Sequence, residues 1–123
     1  CTYRLEAYSI LEDQAILTKT LLENEDCCRI IGKAEHVGEL KTINGKEVEV
    51  RKVAWQNTNL LLGHEGFIGG KTGQTQNAGN CLASIYETTK SKEKYIIVLL
   101  GCLTKEARFA ETKYLVDRYL AGK

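Results

Sequence analysis

The 123-residue chain contains no methionine, and its first residue, Cys1, already falls inside a patterned stretch. It is therefore expected to be an excerpt from a longer polypeptide or a processed piece, and no N-terminal secretory leader is discernible. No apolar run approaches the ~20 residues that a membrane-crossing helix needs. An excess of one charge is lacking too. The 17 basic residues stand against 16 acidic ones, a net of +1, which gives no support for binding nucleic acid or other polyanions. The five cysteines, Cys1, Cys27, Cys28, Cys81 and Cys102, fit no zinc-ligand spacing, because the only close pair is adjacent. Their odd number weighs against a disulfide framework and toward a reducing compartment. Cys81 and Cys102 sit in apolar, strand-like runs and are expected as small buried hydrophobes.

What is present is ordinary for a globular protein: 43% hydrophobic and 27% charged residues. The length suits one domain or a piece of one, able to bury roughly two-thirds of its unfolded-chain surface.

Periodicity divides the chain. Ser9-Ile10-Leu11-Glu12 has the form of a capping box, and a helix follows to about Asn24 with Leu11, Ala15 and Leu22 on one face, widened by Leu17 and Leu21. Asn24 to Asp26 reads as a polar exit, and Cys27 to Ile31 is ambiguous. From Glu39 the period becomes two, and a hairpin with Asn44-Gly45 as its type I′ turn pair is expected, one face of it wet. The asparagines of "WQNTNLLLG" can hold that loop by local side-chain bonds to the backbone. Phe67–Thr75, Cys81–Tyr86 and Tyr95–Leu103 read as an antiparallel meander with a solvated turn over Thr88–Lys94. Tyr95–Leu103, apolar throughout, is expected innermost, covered on both faces, with the Lys71 strand outermost. A last helix from Lys105 to Leu120 carries apolar residues around most of its circumference, so cover on more than one side is expected. The fold class is α+β: an antiparallel sheet, a three-strand C-terminal meander plus a hairpin, flanked by helices.

The stretch "GFIGGKTGQTQNAGNCLAS", Gly66 to Ser84, holds five glycines, one lysine and no acid. A phosphate loop would need glycine at position 65, which is Glu65, and a helix start after Thr72, where "GQTQNAGN" offers none. As a strand, it places Lys71, Gly73 and Thr75 on one face and Thr72 and Gln74 on the other. Glycine two places after lysine keeps that face low, so a ligand backbone could lie beside the ammonium. An edge position would leave N–H groups free for an oxyanion. The plain alternative is a surface lysine in a glycine-rich turn.

"KTGQTQNAGNCLAS" resembles the Lys-Thr-Gly segment of the serine D-alanyl-D-alanine carboxypeptidases, the low-molecular-mass penicillin-binding proteins. "NTNLLL" is similar to their Asn-x-Asn-Leu-Leu stretch, and "SILEDQAILTKTLL" to their Ser/Thr-Ala-x-Asp-x-Ala-x-Leu helix. "GCLTKEARFAETKYLVD" resembles their last strand, the arginine after it and their C-terminal helix. The family's Ser-x-x-Lys nucleophile motif and its Ser-x-Asn motif precede the helix with which this chain begins, and no Ser-x-Asn occurs here. Ser91-Lys92-Glu93-Lys94 fits Ser-x-x-Lys in letters only: it follows Lys-Thr-Gly and lies in a charged turn, where a lysine is not desolvated into a base. Ser84, His36 and His64 have no neighbours that would make a Ser-His site.

The resemblance implies the C-terminal part, residues 1–123, of a penicillin-binding-protein-like transpeptidase domain, and acyl transfer from D-Ala-D-Ala peptides in peptidoglycan processing. It implies no metal or cofactor, a D-Ala-D-Ala peptide or β-lactam as ligand, and an extracytoplasmic, cell-envelope location. Lys71 would hold positive charge where the substrate's terminal carboxylate binds. Thr72 would add a hydroxyl at the rim, with Thr75 beyond it, and Gly73 would leave the face clear. The N–H of Gln74 would form half of an oxyanion hole, and Arg108 would help bind the free carboxylate. Lys71 and Arg108 are then expected to reach one cleft beside Thr72, with neither Glu106 nor Glu111 bridging them. A missing N-terminal segment or another chain is expected to cover the sheet edge. The alternative is a pseudoenzyme or split fragment, serving as a structural or interaction subunit of a larger assembly.

Overall fold

Side-chain period changes from helical to alternating near Glu35, and the elements follow it. The computed structural model describes residues 8–123; Cys1 lies outside them. In chain order the elements are α1 (Leu11–Leu22), α2 (Glu25–Ile31), β1 (Glu35–Asn44), β2 (Glu47–Gln56), β3 (Phe67–Thr75), β4 (Gly79–Glu87), β5 (Lys94–Cys102) and α3 (Lys105–Tyr119). The architecture is α+β, with separate antiparallel sheets of two and three strands. Among the described residues no helix is long and apolar enough to cross a membrane.

The expected capping box does not form. Extended Ile10 takes the N-cap position without a side-chain bond, because the helix begins one residue too late for Ser9. The Ser9 hydroxyl instead accepts from Gln14 Nε2 at 2.6 Å. Acids in the first turn, Glu12 and Asp13, suit the positive end of the helix. Asn24 is no exit but the cap of a second helix, its side chain accepting from the Cys27 N–H at 3.0 Å. Glycines let α2 approach β3: a Cβ on Gly69 would lie 2.8 Å from Ile31 Cγ1, and one on Gly32 2.9 Å from the Ile68 carbonyl.

The hairpin turn sits one residue later than expected. Asn44 pairs with Glu47, so the central residues are Gly45 and Lys46. Gly45 has φ 64° and Lys46 stays negative, the pattern of a type II′ turn, in which glycine comes first. Neither hairpin face is buried: Ile43 is 73% exposed on one face and Leu40 39% on the other. The two strands pair only with each other.

The second sheet has the order β3-β4-β5, antiparallel throughout. Its centre is β4, the most buried strand, and not the apolar run Tyr95–Leu103. That run is β5, at an edge, with most residues half-buried, because no described strand pairs with its outer side. Both of its faces nevertheless meet a helix, α3 on one side and α1 on the other, so cover on both faces is present while the innermost place is not. The Thr88–Lys94 turn is not wholly solvated either, since Thr88 is buried and its Oγ1 accepts from the Glu93 N–H.

The start of α3 is fixed by Thr104, whose hydroxyl accepts from the Ala107 N–H at 3.0 Å. Phe109, Val116 and, just beyond the helix, Leu120 bury against Leu61, Phe67 and Leu82. Each such side chain contributes roughly 1.5–3 kcal/mol. Contrary to expectation the helix is covered on one side only, and Tyr114 and Tyr119 stand exposed. The opposite face of the sheet meets α1, none of whose residues is buried. Cys102 is buried as expected, whereas Cys81 is only partly so.

Candidate active site

Arg108 defines the geometry of the Lys-Thr-Gly strand. Its guanidinium, only 6% exposed, lies beneath the sheet, and Nη1 donates to the carbonyls of Gly73 (3.1 Å) and Cys81 (3.2 Å). Gly73 and Cys81 are cross-strand partners. One nitrogen can reach both oxygens only when the pair turns its carbonyls toward each other, as a hydrogen-bonded antiparallel pair does. The alternating residues, Thr72 and Gln74, then direct their N–H and C=O groups outward, to the open edge of β3.

That edge borders a cleft of about 650 Å³ whose lining includes Lys71 to Thr75, Thr58, Lys105 and Arg108. The Lys71 ammonium folds back onto the outward carbonyl of Thr72. The Thr72 hydroxyl meets that of Thr58 at 2.5 Å. Thr75 lines the cleft too, but its hydroxyl accepts from the Ala78 N–H at 3.0 Å and so belongs to the β3–β4 turn. On the α1 face of the sheet a second space of about 260 Å³ lies between Leu17 and Leu21 of the helix and Lys71, Cys81, Val98 and Leu100 of the strands. The lysine stem thus borders both spaces.

Lys71 and Arg108 share the first cleft, which Glu106 also lines, yet neither Glu106 nor Glu111 pairs with them. Among the described residues the only ion pair is Arg29–Asp26, far along the surface of α2. Glu111 instead accepts from the Cys102 thiol at 3.8 Å. Burial first, and then the Glu111 carboxylate, push the Cys102 thiol pKa up, opposed by Arg108. Arg108 is a floor residue rather than a surface one. Its Nε is buried without a partner.

Thr58, Leu60, Lys105 and Phe109 also line the cleft and were not singled out from the sequence. Thr58 could have been: it sits between Asn57 and Asn59, whose side chains accept from the N–H groups of Asn59 (2.9 Å) and Leu61 (3.1 Å), which aims the threonine at β3. Ser91 bonds to Thr88 and to the Glu93 carboxylate within its turn. Ser84 is fully buried.

The family model described as D-alanyl-D-alanine carboxypeptidase matches residues 11–104. Among curated proteins no sequence matches the chain. Solved structures do. A serine-to-alanine variant of the Streptomyces K15 DD-transpeptidase superposes with a TM-score of 0.81 at 22% identity, covering 97% of this chain and 45% of that one. Another variant of that enzyme gives 0.82 at 23% identity, with the same coverage. Penicillin-binding protein D2 from Listeria monocytogenes, in its cefotaxime-bound form, gives 0.62 at 25% identity over 83% of this chain and 36% of that one. The chain thus spans less than half the length of the structures it matches.

Proposed function

This chain belongs to the D-alanyl-D-alanine carboxypeptidase family, and from that premise we propose that its 123 residues are the Lys-Thr-Gly-bearing, C-terminal part of a serine-type D,D-carboxypeptidase domain. The reaction is acyl transfer. A serine supplied by a Ser-x-x-Lys segment outside these residues attacks the D-Ala-D-Ala peptide bond, the terminal D-alanine leaves, and water hydrolyses the acyl-enzyme. Lys71 holds positive charge beside the substrate's terminal carboxylate, with the Thr72 hydroxyl at the rim. The outward N–H of Gln74 serves as one oxyanion donor, the nucleophile's own N–H as the other. Gly73, lacking a side chain, leaves room for the substrate backbone along the strand. Arg108 acts from beneath, lending its charge to the carboxylate site while it fixes the strand that carries the oxyanion donor.

The observation that carries this reading is the open edge of β3, where an outward amide, two hydroxyls and two cations unpaired by acid meet one cleft. The test is intact-mass analysis after incubation with penicillin. The 123-residue chain should stay unmodified, and the same residues joined to the Ser-x-x-Lys segment should gain one acyl group. In that longer protein Lys71→Ala should slow acylation by about 100-fold, the scale of losing a preorganised charge from such a site. An adduct on Ser91 would overturn the assignment of the nucleophile. Failure of the joined protein to acylate would leave the structural-subunit reading.

A further inference from the structure

A second cleft, of about 480 Å³, lies at the foot of the hairpin, between α2 and the paired ends of β1 and β2, and shares no lining residue with the cleft at Lys71. Its base is aromatic. His36 and Trp55 are cross-strand partners with ring centroids 6.0 Å apart and planes 13° from parallel. The indole lies flat because Gly38 makes room: a Cβ there would sit 3.1 Å from Trp55 Cζ3 and 3.3 Å from His36 Nε2. Trp55 remains 45% exposed, so this ring is a platform and not a core residue.

The walls are held in place before any ligand arrives. Asn57 Nδ2 donates to the carbonyls of Ile31 (3.2 Å) and Lys33 (3.0 Å), and the Asn57 N–H donates to Ala34 at 2.8 Å, so the end of α2 is tied to the end of β2. Arg29, Lys33 and Glu35 all line the cleft. Arg29 is engaged by Asp26, which leaves Lys33 the cation without a partner among the described residues.

We propose that this cleft binds an acidic sugar, a pyranose ring that carries a carboxylate. A pyranose presents a flat face of C–H bonds to the electron-rich indole, its hydroxyls suit the side-chain amide of Gln56, and its carboxylate suits Lys33. Other classes use less of the site. An inorganic anion leaves the indole idle, a neutral sugar leaves Lys33 unpaired, and a planar aromatic ligand leaves the Gln56 amide unpaired. The volume falls within the range that holds a small ligand. This inference does not depend on the reading of the Lys71 cleft.

Trp55 is the chain's only tryptophan, so its emission reports this cleft alone. Titration of the chain with glucuronic acid should change that emission saturably, and glucose, which lacks only the carboxylate, should bind at least about five-fold more weakly, as for one exposed ion pair. Lys33→Glu, at an exposed position, should keep the fold by circular dichroism and abolish the preference. Trp55→Phe, followed by calorimetry, should lose most of the binding to glucuronic acid. Four results would overturn the proposal: no saturable change with glucuronic acid, equal binding of glucose, full competition by acetate at equal concentration, or tighter binding of benzoate than of the sugar acid.

Discussion

Replacing Arg108 with methionine removes the guanidinium from beneath the Lys-Thr-Gly strand while keeping most of its apolar stem. Two bonds from a charged donor to the carbonyls of Gly73 and Cys81 disappear, and at the lower end of the range for such bonds that costs about 3 kcal/mol. The buried Nε has no partner, so removing it returns about 1 kcal/mol. A net loss of about 2 kcal/mol follows, with methionine still able to touch the Phe109 ring, whose centroid lies 4.8 Å from the guanidinium carbon. In urea, with a slope of about 1.5 kcal/mol per molar, the unfolding midpoint should fall by about 1.3 M. Arg108→Lys should not rescue it, because a lysine ammonium lacks the planar fork that lies beneath a strand pair. Amide exchange should quicken first at Gly73 and Cys81. A midpoint shifted by less than about 0.3 M would refute the reasoning, and Arg108 would then be free to act as a ligand residue alone.

Gly70→Ala should part β3 from β4, because the new Cβ would overlap the Ala83 carbonyl oxygen; a loss of about 3 kcal/mol is expected by thermal unfolding. Asn57→Ala should free α2 from the foot of the hairpin at a cost of about 1–2 kcal/mol, seen as faster amide exchange at Asn57 and Asn59. Cys102 should be alkylated last of the described cysteines at pH 8, and denaturation should abolish the difference, because burial and Glu111 hold its thiol protonated. The same raised pKa means that the folded chain holds this proton after the unfolded chain has lost it. The stability it contributes is therefore complete below the ordinary thiol value and is lost as pH climbs past it, a trend that Cys102→Ala should flatten in melts from pH 7 to 10.

The meander was legible because strands and turns obey local rules. Alternation and the glycines of Gly66 to Ser84 mark β3 and β4, and the charged run before Tyr95 marks the turn into β5. What could not be read locally was what covers each element. An apolar run such as Tyr95–Leu103 signals burial, but whether its neighbour lies within the same stretch of chain is a tertiary fact. The turn of the hairpin slipped by one because Asn-Gly suits type I′, while cross-strand pairing of Asn44 with Glu47 moves glycine to the first central position. Ser9 failed as a cap for a similar reason, since Ile10 enters the helix extended and leaves the hydroxyl to Gln14. At the cleft, the sequence pointed to Lys71, Thr72 and Gln74, which share one strand. It pointed to Arg108 as well, but not to its burial, which depends on how α3 crosses a sheet 35 residues away in the chain.

The two borders of the three-strand sheet carry opposite hazards for self-association. On β3 the Lys71 ammonium occupies the outward Thr72 carbonyl, so a stray strand that sought that acceptor would have to displace a cation first. The irregular register between Phe67 and Gly69 further spoils this border as a template. On β5 the border is guarded less: among the described residues no cation caps it, Tyr95 to Leu99 pair regularly with β4, and the irregular register lies only at its end, between Leu99 and Cys102. Copies of the chain kept at high concentration should therefore join through β5 and leave β3 open, so that even an aggregate would keep its Lys71 cleft facing water.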